Sequence, residues 1–266
     1  KFTKLSRSKT IVQKLKCLAK FRPADLLPQV SLKLGMVDSL CDMNMGQTAE
    51  LLARELDISR RDQDQFAETS HLRALANRDK LNKEIVPFVT TNDNCLRSPT
   101  KRSITTDNGI RNDAFVDKLG KLKPVFDRKE GTVTAGNASQ VTDGGAALLL
   151  MTEDGLLRTG CTPLARINSW DYVGCDPKRM GLGPIHAIRK LDLDLDTVDL
   201  FEINEAFAVQ VLACQRELEI PSEKLNVNGG AIALGHPLAA SGARLVLTLV
   251  RELHHRDLTN GVASLC

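Results

Sequence analysis

Apolar residues recur at helical spacing near the start of the chain, where Ile11, Leu15 and Leu18 line one side of a lysine-rich segment. This predicts a short basic amphipathic helix. GQTAELLAREL (46–56) carries the same period, and Ser59 with Asp62 forms a capping-box pattern that opens a second helix through RRDQDQFAETSHLRALANRD. From about Asn82 to Pro124 the pattern is irregular, polar and rich in turn formers, which predicts a loop-dominated excursion. At GTVTAGNASQVTDGGAALLLM the character changes to a β-branched strand, a small polar turn over Gly136 to Ser139, and an apolar helix. The same order is expected again, with a buried strand at Val198 to Ile203 and a helix over Ala206 to Leu218. It is expected a third time at LNVNGG followed by a helix from Pro237. Strands alternating with helices predict an α/β architecture with functional groups at strand ends.

Composition narrows the class. With 266 residues and 42% hydrophobic residues, the chain has the make-up of a globular protein of one large or two smaller domains. A formal net charge of +3 is too small for a nucleic-acid footprint over the whole surface, so no nucleic-acid partner is expected. The positive charge is local: KFTKLSRSKTIVQKLKCLAKFRP holds eight Lys and Arg and no acid. Such a helix can lie on an anionic membrane, face an acidic ligand, or be an ordinary solvated surface helix, and its lack of acids resembles a transit peptide. Seven cysteines without CxxC pairing and without a signal segment favour free thiols, hence a cytoplasmic protein, or a mitochondrial-matrix or peroxisomal one if eukaryotic. No metal site is expected. The chain opens on Lys1 and closes on Cys266, so both ends are expected to be incomplete.

Three residues stand out chemically. His236, between Gly235 and Pro237, is placed at a helix start, where the dipole and exposed N–H groups disfavour the imidazolium. A histidine there is either a structural group or a base. Asn204 falls at the turn of NEAFA, where it is a helix cap, an oxyanion-hole residue, or both. Cys266 on its own reads as a small buried hydrophobe or as a reactive thiol.

NEAFA, then NGGAIALGHPLAASGAR, then a strand ending in Cys, in that order, resembles the thiolase family of acyl-CoA acyltransferases. EGTVTAGNAS, DGGAALLLM, GCDPKRMGLGP and the helices after Asn44-Met45-Gly46 extend the likeness over essentially the whole chain. The resemblance implies a thiolase-like layered αβαβα fold, incomplete, with a loop-rich α-helical insertion domain. On that reading residues 1–128 form the loop domain with the basic helix, 129–158 end the N-terminal thiolase half, and 159–266 are a truncated C-terminal half. It implies acyl transfer between acyl-CoA thioesters and CoA, either 3-ketoacyl-CoA thiolysis or acetyl-CoA condensation, through a cysteine thioester. His236 takes the role of the base that activates the nucleophilic thiol, Asn204 that of the residue positioning the oxyanion-hole water, and Cys266 that of the second, acid/base cysteine. Arg111 falls where the family stacks an arginine on the adenine, Ser139 where a serine contacts the pantetheine. Met36, Met45, Met180 and Phe207 match pocket-lining positions, with core packing as the other reading of each.

No tightly bound cofactor is implied; coenzyme A and acyl-CoA are substrates. A homodimer or homotetramer is implied, and a β-oxidation complex or peripheral membrane contact through the basic helix is compatible with it. The family nucleophile lies upstream of everything present here, and Cys17 in LKCLAK lacks the small residues that surround it. The chain alone is therefore expected to be inactive, either as part of a working thiolase or as a truncated, non-catalytic chain that binds CoA or pairs with other subunits. A thiol suits the shuttling of a carbon proton when its site lowers its pKa, whereas an α-carboxylate on Cys266 itself would raise it.

Overall fold

The computed structural model describes residues 10–21, 37–92 and 100–266; Met36 lies outside them. The chain divides into two compact units, residues 1–42 and 43–266. In the first, α1 (Ile11–Leu18) is the amphipathic helix, with Ile11, Leu15 and Leu18 all exposed. Among the described residues no helix is long and apolar enough to cross a membrane.

The second unit opens on α2 (Met45–Glu55), which starts at Asn44 through a capping box with Gln47. α3 (Arg60–Ala76) starts at Ser59 through the box with Asp62 that the sequence predicts. Local signals of this kind need no tertiary partner, which is why the Ser59 start is legible in the sequence. The short α4 (Arg78–Asn82) follows. The next stretch departs from the expected loop: β1 (Phe88–Asn92) and β2 (Thr100–Ile104) form an antiparallel hairpin with Phe88 opposite Ile104. Its polar, threonine-rich strands hide the period-2 alternation that would have marked them. α5 (Val116–Leu119) closes the excursion.

GTVTAG is not a strand. Glu50 on α2 holds it instead, accepting from the backbone N–H of Thr132 at 2.8 Å and of Val133 at 2.9 Å. The turn after it is built as expected, with Asn137 Oδ1 accepting the Thr134 N–H at 2.8 Å. DGGAALLLM is not a helix either: residues 143–151 are irregular, and Leu149 is 82% exposed. A short apolar run has no periodicity to settle its form, and here no face of it is buried. α6 (Glu153–Thr159) follows, then a 3₁₀ turn at Pro177–Leu182 that runs into α7 (Gly183–Lys190).

β3 (Leu200–Ile203) is fully buried, as its unbroken apolar pattern around Glu202 requires. α8 (Ala208–Glu217) comes next. LNVNGG then departs from the expected strand, because only Leu225 bridges to Phe201 and the chain turns at Asn226 and Gly229, both with positive φ. α9 (Ala231–Leu234) and the long α10 (Leu238–His255) lead to β4 (Gly261–Ser264). Pro237 is the residue before α10 with extended ψ, not its first helical residue. β4 lies parallel to β3, with Ile203 opposite Ser264. The main core, with Phe201, Ile203, Ile188, Val211 and Val262, fills the space between this pair of strands and α7 and α8.

Candidate active site

Parallel neighbours end at the same edge, so Asn204 and Cys266 both follow the carboxyl ends of β3 and β4, with the Cys266 side chain next to Gly183 and Cys175. The Asn204 N–H extends the ladder by one bond, donating to Ser264 O at 3.0 Å. Cys266 lies two residues beyond. His236 reaches this edge from the turn between α9 and α10. Gly235 makes that turn with φ of 102°, and a side chain there would meet Thr142 as well. The His236 N–H donates to Gln140 O at 3.1 Å, which fixes the backbone of the turn.

The imidazole is held at both nitrogens. Ser241 Oγ lies 2.6 Å from Nδ1 and 3.2 Å from Pro237 O; with its own proton on Pro237 O it takes the Nδ1 proton. Nε2 is then the lone-pair nitrogen, and Asn204 Nδ2 donates to it across 3.4 Å. Burial, and secondarily the Arg244 guanidinium, lower the proton affinity of His236. The ring is therefore a neutral base pointing Nε2 toward Asn204. The sequence points to a neutral ring through the helix dipole; the causes here are burial and Arg244.

Asn204 is fully buried, and its Oδ1 has no hydrogen-bond partner among the described residues. Its neighbour Glu205 anchors the turn: the carboxylate accepts from Ser70 Oγ at 2.6 Å, Asn226 Nδ2 at 3.0 Å and the Ile232 N–H at 3.1 Å. Behind it, Glu202 faces Arg244 at 3.6 Å, and burial pushes its carboxyl up to about 8.

The Cys266 thiol is pushed up to about 11, first by burial of the group and then by Cys175 beside it. The residue as a whole is nevertheless exposed. Cys214, buried on α8, is raised to about 12 by burial and then by Cys266.

The other sequence candidates fall around the same segments. Ser139 donates its N–H to Ala206 O at 2.9 Å, and Ala138 bridges to Phe207, so GNAS lies against the NEAFA turn. Phe207 packs edge-on to Phe126 with centroids 6.2 Å apart. Met45, at the start of α2, and Met180, in the 3₁₀ turn, are both half-buried. Arg111 is exposed, with its backbone N–H donated to His71 Nδ1 at 3.2 Å. Ser241, Gln140 and His71 carry no motif that marks them; Ser241 reads as one more small packing residue in AASGAR. Among the described residues no group of three His, Cys, Asp or Glu is arranged to hold a metal ion.

The structure brings Asn204 and His236 into contact at the carboxyl edge of the parallel pair, while the side chain of Cys266 keeps Gly183 and Cys175 as its neighbours. Family models for the thiolase N-terminal and C-terminal domains match residues 4–154 and 161–266. The chain belongs to the thiolase family. A probable acetyl-CoA acyltransferase of Staphylococcus epidermidis is 45% identical over 87% of this chain and 59% of its own length. The crystal structure of the Bacillus anthracis acetyl-CoA acetyltransferase superposes with a TM-score of 0.84 at 40% identity, covering 92% of this chain and 63% of that one. Human mitochondrial 3-ketoacyl-CoA thiolase in complex with CoA gives 0.79 at 38% identity, over 92% of this chain and 63% of that one. The fold is therefore the thiolase α/β fold, and this chain spans about three fifths of the length of such relatives.

Proposed function

We propose that the protein transfers acyl groups between acyl-CoA thioesters and CoA, with Asn204, His236 and Cys266 as its acid/base and oxyanion groups. The carrying observation is the 3.4 Å contact between Asn204 Nδ2 and Nε2 of His236. Nε2 is poised to take the proton of an attacking thiol and, once protonated, to donate to a thioester oxygen. Asn204 steadies that nitrogen and keeps its Oδ1 for a water that faces the same oxygen. Cys266, protonated at neutral pH, donates a proton to the carbon leaving group in thiolysis and takes one from the α-carbon of an acyl-CoA in condensation. The acyl-carrying thiol is the one the family places N-terminal to the region present here. Arg111 and Ser139 are the residues we assign to the nucleotide and pantetheine parts of CoA.

The test is thiolysis of acetoacetyl-CoA by CoA with the protein isolated at its full natural length, beside its His236→Ala variant. Turnover that His236→Ala reduces to background supports the reading. CoA binding without turnover would favour a non-catalytic thiolase chain that binds CoA or pairs with other subunits. Neither turnover nor CoA binding would sink both.

A further inference from the structure

The backbone on either side of Ile110 is pinned by two side chains that belong to different elements. Gly109 O accepts from Gln140 Nε2 at 3.0 Å, and the Arg111 N–H donates to His71 Nδ1 at 3.2 Å. Between these points the Ile110 side chain packs against Ala74, Leu81 and Ala233. The loop also comes so close to α9 that a Cβ on Gly109 would stand 2.6 Å from Ala233 O. Yet the Arg111 side chain is exposed. A loop whose main chain is fixed on both sides while its one long cationic side chain faces solvent is prepared to meet a ligand rather than to pack.

Each clamp is specific. His71 is only 4% exposed and can accept only while Nδ1 is unprotonated; burial, then the Arg111 charge, hold it down to about 4. It therefore stays an acceptor throughout the neutral range. Gln140 Nε2 donates to Ile232 O at 3.0 Å as well as to Gly109, and its own carbonyl takes the His236 N–H at 3.1 Å. One residue thus ties the loop of Arg111 to the turn of His236.

We propose that His71 and Gln140 are positioning residues that fix the Arg111 loop for binding the nucleotide end of CoA and hold it in register with His236. This rests on the assignment of Arg111 to CoA. The planar guanidinium suits both a stacked purine and a phosphate, and holding its Cα in place lowers the ordering cost of either contact.

The experiment is a double-mutant cycle on CoA binding by titration calorimetry, with thermal unfolding run on each variant. His71→Leu removes the acceptor at similar size, and one lost hydrogen bond should weaken CoA by about tenfold. Arg111→Ala should weaken it too, and adding His71→Leu to Arg111→Ala should cost little more, because His71 acts through Arg111. His71→Gln, which can still accept, should recover most of the affinity. Gln140→Leu supplies the same cycle if His71→Leu does not fold. An equal loss in the Arg111→Ala background, or no loss from His71→Leu where Arg111→Ala binds weakly, would overturn the clamp and leave the CoA assignment standing. Unchanged binding by Arg111→Ala would overturn both.

Discussion

Ser241 Oγ stands 2.6 Å from Nδ1 of His236, on the far side of the ring from Asn204. With its proton on Pro237 O the hydroxyl accepts from the ring, which favours the tautomer that carries the proton on Nδ1. Ser241→Ala should release this choice. In nitrogen-detected NMR the wild-type ring should show the Nδ1–H tautomer, and the variant a mixture. Loss of one such bond corresponds to about 1 kcal/mol, hence a fall of roughly five- to tenfold in any rate that uses Nε2 as the base. An unchanged tautomer in Ser241→Ala would remove the serine from this role.

Glu205 sits behind the same edge and gathers three donors from three parts of the chain, Ser70, Asn226 and Ile232. Glu205→Ala takes the acceptor from the Ser70 hydroxyl and the Ile232 N–H and leaves Asn226 Nδ2 only its bond to Ile203 O, so it should destabilise the protein by about 2 kcal/mol. Gly230→Ala should act on the same place from the other side, since a Cβ there would lie 2.3 Å from the Glu205 carboxyl carbon. Urea unfolding of the two variants and their combination checks this. The combined loss should fall well short of the sum, because either change already breaks the carboxylate's seat.

His71 also makes stability depend on pH. Its folded pKa of about 4 lies below the ordinary value of 6.5, so between those pH values the unfolded chain binds a proton that the folded chain refuses. Stability attributable to His71 is complete above pH 6.5 and is lost as pH falls toward 4, by an amount on the order of 3 kcal/mol. His236 is shifted in the same direction and adds to the slope. Denaturant midpoints of wild type and His71→Gln should lie close together at pH 7, and the wild type should fall below the variant as the pH is taken to 4. Parallel curves would mean that His71 titrates normally.

What the sequence discloses follows the range of the interactions. The capping boxes at Asn44 and Ser59 span three residues, and the Ser59 box is read directly from the chain. Asn204 and His236 are conspicuous because each sits in a run of small residues at the end of a strand or the start of a helix. The partners that make them work are not conspicuous. His71 and Arg111 are 40 residues apart, and Gln140 reaches Ile232 across 92. Nothing in their immediate neighbours distinguishes them from surface polar residues. The apolar run at 143–151 fails for the opposite reason: its residues fit helix or strand, and only the packing around it could choose.

Cys266 offers the sharpest test of the site's electrostatics. A thiol at about 11 is ionised to only about one part in ten thousand at pH 7. As a proton donor it is then ready, whereas as a base it must first be lowered, by a bound acyl-CoA or a cation brought to the site. Alkylation by iodoacetamide, followed peptide by peptide, should show Cys266 reacting about tenfold faster per pH unit from pH 7 upward, without a plateau before roughly pH 11. Cys161, exposed on the surface, provides the comparison under the same conditions. Cys175→Ser removes the neighbouring group that adds to the shift and should move the Cys266 midpoint down, though burial, the larger cause, would keep it above the ordinary thiol range. A plateau below pH 9 in the wild type would show a site that stabilises the thiolate, and Cys266 would then be a base from the outset rather than an acid awaiting its substrate.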